Sequence, residues 1–138
     1  MSVEVVLDSN VLIYAVSSHR PERHKRQRAE ELIAAPFGVS GQILQEFFVN
    51  ATRKIKIPLA PEAALEWVKR LELQPFISVD APLIRRGIAI SIRYQIHYWD
   101  GAILAAAEAL GATTLYSEDL SHGQNYGSVR VVNPFLAQ

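Results

Sequence analysis

Five short apolar runs alternate with helical stretches along this chain, and that alternation limits the fold more than any other feature. Val3 to Leu7 is β-branched and apolar on both faces, the pattern of a strand buried on both sides in a parallel sheet. It stops at Asp8-Ser9-Asn10, and an apolar helix follows through Val11, Leu12 and Ala15. Pro21, with Glu22 in the first turn, opens a second helix running to about Ala35. Phe37 to Ser40 is a second strand, Gly41 to about Ile55 a third helix stopped by Pro58, and Pro61 to about Leu71 a fourth. Phe76 to Val79 is a third strand, with a helix starting near Pro82. Gly101 to Leu110 is a further helix closed by Gly111 as its C′ residue. Thr113 to Tyr116 and Val129 to Val132 are the fourth and fifth strands. Strands that mostly alternate with helices predict a parallel sheet covered on both faces, with right-handed crossovers. Ligands of such sheets bind beyond the carboxyl ends of the strands. Asp8 ends the first strand and Asp119 lies just past the fourth, so the two share a crevice if those strands are neighbours.

The 138 residues suit a single domain over 1–138, and 49% hydrophobic residues supply one core. Fourteen Lys and Arg against fourteen Asp and Glu leave no net charge, so any pull toward nucleic acid has to come from local patches. Cysteine is absent, which excludes disulfides, thiolate metal sites and a thiol nucleophile and fits a cytoplasmic location. The first ten residues lack the basic and apolar regions of a secretory signal. No apolar run approaches the roughly 18 residues of a membrane span, so no membrane association is expected.

Taken singly, each acid has an ordinary explanation. Asp8 and Asp100 precede helices and read as N-caps; Asp119 reads as a turn residue. Glu46 belongs to a polar stripe with Gln42, Asn50 and Arg53, set apart from the apolar stripe of Ile43, Leu44, Phe47, Phe48 and Ala51, and reads as solvated. The helix opened by Asp100 is unusual, because Glu108 is its one charge between Gly101 and Leu110. A helix apolar nearly all round is buried, which draws its first turn toward the sheet. The joint order carries more: an acid ending strand one, one mid-helix, one opening a buried helix, one ending strand four.

Residues 19–28 hold five Lys or Arg, two His and one acid, and Arg53, Lys54 and Lys56 form a second basic group. Arg23, Arg26, Arg28 and Arg53 are candidate phosphate contacts, against the alternative of an exposed helix face. His19, His24, His97 and His122 show no zinc spacing. A metal-independent, histidine-driven catalytic site therefore has little support, and His97, beside Tyr98 and Trp99, reads as structural.

The stretches VLDSNVLIYA (6–15), VSGQILQEFF (39–48), YWDGAILAAAEALG (98–111), LYSEDLSHGQ (115–124) and VRVVNPF (129–135) together resemble a PIN domain, close to the VapC-type toxins of prokaryotic toxin–antitoxin pairs. The resemblance implies an α/β fold with a five-stranded parallel sheet and helices on both faces. It implies metal-dependent endoribonuclease activity, with the family's acids falling on Asp8, Glu46, Asp100 and Asp119. Ser117 matches a hydroxyl position, with Asn10 and Ser40 as supporting polar groups. A small antitoxin partner and a homodimer accompany the resemblance. One departure is Ser121, where some relatives carry a further acid; Glu118 is left as a neighbour of the site.

Phosphodiester hydrolysis needs an activated water in line with the leaving oxygen and positive charge on the phosphoryl oxygens, both of which Mg²⁺ or Mn²⁺ provide. Those hard ions take oxygen ligands, so Asp8 is the expected central ligand, with Asp100 and Asp119 beside it. Glu46 is expected to bind the metal through water or to orient the nucleophile. Without metal, mutual repulsion is expected to raise some of the four pKa values above ~4. The alternatives are a catalytically silent RNA- or protein-binding module of the same fold and a housekeeping RNA-processing nuclease. A phospho-acceptor signalling domain is disfavoured, because the chain lacks an Asp pair after strand one and a lysine near the last strand.

Overall fold

The computed structural model describes residues 2–136. β1 (Val5–Leu7) leads directly into α1 (Ser9–Val16). A 3-10 turn (Arg20–Glu22) precedes α2 (Arg23–Ile33), followed by β2 (Val39–Ser40), α3 (Gly41–Arg53) and α4 (Pro61–Leu71). β3 (Phe76–Ile77), α5 (Ala81–Tyr94), α6 (Tyr98–Ala109), β4 (Thr114–Tyr116), β5 (Asn125–Tyr126) and β6 (Val129–Val132) complete the described fold.

The main sheet has the order β1-β4-β6-β5, with β1, β4 and β6 parallel and β5 antiparallel at the edge. β2 and β3 form a separate parallel pair. A single bridge between Val6 and Gly38, reinforced by the Gly38 N–H donating to the Val5 carbonyl at 2.8 Å, ties that pair to β1. The expected single five-stranded parallel sheet is therefore corrected to four strands plus two. Both residues of β2 pair with β3, and the contact with β1 is made by Gly38 just before it. β5 was not anticipated; Gly127, at φ 65°, turns the chain back from β5 into β6.

Val6, Leu7, Val11, Val39, Phe47, Leu104, Leu115 and Val131 are among the fully buried core residues. α6 is buried from Gly101 to Ala107 and touches β2, β4 and β6 as well as α5. Its approach to α5 is close enough to need two glycines. A Cβ on Gly101 would stand 2.5 Å from the Gly87 carbonyl oxygen, and one on Gly87 2.9 Å from Ala102 Cα. This crossing fixes the first turn of α6, which carries Asp100. α6 starts at Tyr98 and not at Gly101, so Asp100 lies inside the first turn and His97 is the capping residue. Gly111 closes the helix at φ 77°, as expected. Pro21 lies in the 3-10 turn, and α2 starts after it. No helix of the described residues is long and apolar enough to cross a membrane.

Candidate active site

Parallel pairing of β1 with β4 sets Leu7 opposite Tyr116, so the next residues, Asp8 and Ser117, leave the sheet side by side. The Asp8 N–H donates to the Tyr116 carbonyl at 3.0 Å, and Ser117 Oγ donates to Asp8 Oδ2 at 2.7 Å. Asp8 also caps α1, with Oδ1 accepting the Ser9 N–H at 2.7 Å. The carboxylate that caps α1 is thus the same one that Ser117 holds between the strand ends, and it is 5% exposed.

Asn10 spans the two strand ends. Its Nδ2 donates to Asp119 Oδ2 at 3.1 Å and stands 3.4 Å from both Asp8 Oδ2 and Ser117 Oγ. Ser117 Oγ accepts the Asp119 N–H at 3.0 Å, which folds the segment after β4 back beside Asp8.

The helices bring the other two acids. Ser9 Oγ lies between Glu46 Oε1 at 3.4 Å and Asp8 Oδ1 at 3.5 Å. Glu46 is half-buried and faces this crevice, so its reading as a solvated residue is corrected. Gln42, one turn earlier on α3, donates to the Trp99 carbonyl at 3.1 Å and fastens α3 to the first turn of α6. Ser40 accepts the Ile43 N–H at 3.3 Å as the N-cap of α3; it anchors the helix that carries Glu46.

Burial pushes the Asp8 carboxyl up to about 7, against the hydrogen bonds from Ser117 and the Ser9 N–H, and the charges of Asp119 and Glu46 push the same way. Glu46 is also held above its ordinary range, first by burial and then by Asp119 and Asp100, while Gln42 and Ser9 oppose the shift. Asp100 is raised by burial and by Asp119, with His97 acting against both. These mutual influences mark four carboxylates facing one space. For Asp8, Glu46 and Asp100 burial outweighs repulsion, which corrects the expected cause of the shift.

Glu118 is turned elsewhere. It accepts from the Tyr14 hydroxyl at 2.8 Å and from Lys25 Nζ at 2.6 Å. Arg26 donates to the Ser17 carbonyl at 2.8 Å and pairs with Glu30. Arg28 donates to the Pro134 carbonyl at 3.3 Å and pairs with Glu31. Two of the three α2 arginines suggested for RNA are therefore engaged within the protein. Arg23 and Arg53 are exposed and make no ion pair among the described residues. His97 is exposed at the start of α6, not packed among its aromatic neighbours.

Ser9 and Gln42 are site residues that the sequence reading did not single out. Gln42 carried a signal, since it precedes Glu46 by four residues on the same polar stripe.

Among the described residues, no three His, Asp or Glu side chains are disposed to enclose an ion as they stand. The donor chemistry nonetheless fits a hard divalent cation. Every candidate donor is a carboxylate oxygen, and the innermost carboxyl is buried where its negative charge has no cationic partner. Mg²⁺ is commonly held by one or two carboxylates with water completing the shell, so a closed cage is not required.

Residues 5–125 match the family model described as PIN domain. No curated protein sequence matches the chain. Among solved structures, VapC20 of Mycobacterium tuberculosis, described as a sarcin-ricin loop cleaving toxin, is 16% identical, with a TM-score of 0.65 over 84% of this chain and 90% of that one. A toxin–antitoxin complex from Klebsiella pneumoniae is 20% identical, with a TM-score of 0.67 over 96% of this chain and 98% of that one. At these identities the likeness is one of fold. The family match spans most of the chain and includes all four acids. This protein belongs to the PIN-domain family.

Proposed function

We propose that this protein is a metal-dependent endoribonuclease that hydrolyses RNA phosphodiester bonds and serves as the toxin of a toxin–antitoxin pair. One observation carries the reading: Asp8, Glu46, Asp100 and Asp119 come from four separate segments to a single crevice, where the charge of Asp119 bears on each of the other three. The printed descriptions of the two similar structures, an RNA-loop-cleaving toxin and a toxin–antitoxin complex, support it.

Mg²⁺ or Mn²⁺, when bound, supplies positive charge to the phosphoryl oxygens and makes water a stronger nucleophile. Asp8 would hold the ion, with Asp100 and Asp119 beside it. Ser117 and Asn10 orient the Asp8 carboxylate through Oδ2. Glu46, whose carboxyl is held above its ordinary range, accepts a proton from the attacking water as the water oxygen bonds phosphorus; the bond from phosphorus to the leaving oxygen breaks, and that oxygen takes a proton from solvent.

A free enzyme of this kind would damage the host's own RNA, so a small antitoxin that covers the crevice belongs to the same reading. A homodimer does too, and the exposed apolar stripe Ile84, Ile88 and Ile92 on α5 is a surface that such an interface would cover. Incubating purified protein with total RNA, with Mn²⁺ and with chelator, and mapping the cut ends tests the activity. Cleavage in Mn²⁺ alone is expected; cleavage that survives chelation rejects metal dependence. Induced expression is expected to arrest growth, and Asp100→Ala to relieve it at equal protein level. Equal growth of the two strains argues against a toxin role.

A further inference from the structure

Trp99 is 65% exposed, an expensive position for the largest apolar side chain. It immediately precedes Asp100 in the first turn of α6, and that turn is held by Gln42 through the Trp99 carbonyl and by the glycine crossing with α5. The Tyr98 ring meets the indole edge-on at 5.1 Å. The exposed ring is therefore presented on a fixed backbone beside an acid of the site.

It faces a groove of about 360 Å³ that Glu46 also lines, together with Gln45, Val49, Asn50 and Lys54. That volume lies in the range of small-ligand sites. A second groove of about 300 Å³ shares Asn50 and Lys54 and adds Asn10, Tyr14 and Lys56. Glu46 thus borders one groove, and Asn10, which bonds Asp119, borders the other. The two grooves meet at Asn50 and Lys54, which line both. Lys54 and Lys56 make no ion pair among the described residues, and the side chains of Gln45 and Asn50 make no hydrogen bond within the described chain.

Resting on the ribonuclease reading, we infer that the groove beside Trp99 is a nucleobase subsite, in which one unpaired base of the RNA stacks on the indole while Lys54 meets a neighbouring phosphate. The lining favours this occupant over an apolar peptide. It offers one aromatic face, one valine and two free amides, and amides match the hydrogen-bonding edges of bases. The base must be unpaired, because a duplex hides base faces within its stack. The site would therefore restrict cleavage to single-stranded loops and make the nucleotide beside the cut a determinant of specificity.

The test uses the full chain. The protein has two tryptophans, so Trp67→Phe leaves Trp99 as the sole indole reporter. With chelator present, a single-stranded RNA heptamer is expected to quench Trp99 emission saturably, and a blunt duplex of the same length to leave it unchanged. Trp99→Ala in the otherwise native protein is expected to weaken heptamer binding by about 5- to 150-fold, the equivalent of ~1–3 kcal/mol for a base–aromatic stack. Trp99→Phe should recover most of that loss, and matching melting temperatures confirm that the variants fold. In Mn²⁺, Trp99→Ala should also flatten the base preference at the position next to the cut. Quenching without any cleavage by the native protein would keep the subsite and reject the nuclease. Cleavage with affinity and base preference unchanged in Trp99→Ala would keep the nuclease and reject the subsite. Equal quenching by duplex and single strand, or by neither, also overturns the inference and leaves the indole as a surface for a protein partner.

Discussion

The crevice has two unlike halves. Its floor consists of Asp8, Asn10 and Ser117 at the ends of β1 and β4, where sheet register sets neighbouring residues side by side and short hydrogen bonds hold Asp8 in place. Its rim consists of Glu46 and Asp100, carried in by α3 and α6, and of the exposed Asp119. Helix packing positions Glu46 and Asp100, through the Gly87–Gly101 crossing and the Gln42–Trp99 bond, whereas Ser117 and Asn10 hold Asp119. The floor shows what burial does to a carboxyl: although Ser117 and the Ser9 N–H donate to it, Asp8 is cut off from water and its pKa is pushed up to about 7. Glu46 and Asp100 are raised by burial too, but both stay partly open to water.

The sharpest way to break this contrast is to neutralise one acid from each half. Asp8→Asn and Asp100→Asn are each expected to lower single-turnover RNA cleavage by more than ~100-fold, beyond the ~10–100-fold typical of groups that only orient a ligand. Asp8→Asn should keep the fold, because asparagine also caps helices well. If Asp100→Asn stays fully active while Asp8→Asn is dead, the floor alone holds the ion.

Ser117→Ala probes the floor without removing a charge. Loss of its hydrogen bond to Asp8 is expected to weaken Mn²⁺ affinity and activity together by ~10–100-fold. Titration calorimetry with Mn²⁺ reads the affinity directly, and an unchanged constant would show that Asp8 needs no orientation.

Stability against pH separates the halves next. Asp8 has a folded pKa of about 7 against an ordinary 3.8, so between those values the native state binds more protons than the unfolded chain. Its stabilising contribution is complete below about pH 4 and is lost as pH rises to about 7. Glu46 and Asp100, also raised, add the same sign. Metal-free wild type should therefore melt lower at pH 8 than at pH 5, and Asp8→Asn should flatten that difference. Mn²⁺ at ~100 times its dissociation constant should return about 2.7 kcal/mol to the wild type at pH 8, and less to Asp8→Asn. A wild-type melting curve indifferent to both pH and Mn²⁺ would make Asp8 a helix cap only.

The smallest effect concerns the bases around the rim. Lys54→Glu with Lys56→Glu should flatten the salt dependence of RNA binding by roughly 0.7 in logarithmic slope per lost phosphate contact. Arg26→Glu with Arg28→Glu should leave that slope alone and lower the melting temperature, because those arginines bond the Ser17 and Pro134 carbonyls. The reverse pattern, measured by affinity from low to moderate salt, would return RNA docking to α2.

Much of this protein could be read from residues close together in the chain. Strand-then-acid at Leu7-Asp8 and strand-then-serine at Tyr116-Ser117 are local patterns, as are the α3 polar stripe and the glycine that ends α6. The β5–β6 hairpin was also legible and was overlooked: Gly127-Ser128 between Tyr126 and Val129 is a two-residue turn signal.

What no local pattern could supply was the identity of distant partners. Ser117 meets Asp8 across 109 positions, Lys25 meets Glu118 across 93, and Arg28 meets Pro134 across 106. Those pairings decide that α2's charge run is largely spent inside the molecule and that Glu118 faces away from the acids. Burial is equally non-local. It arises when whole elements pack together, which is why the chain order announced four acids, while only the packing of β1, β4, α3 and α6 turned one of them into a carboxyl that ionises near neutrality.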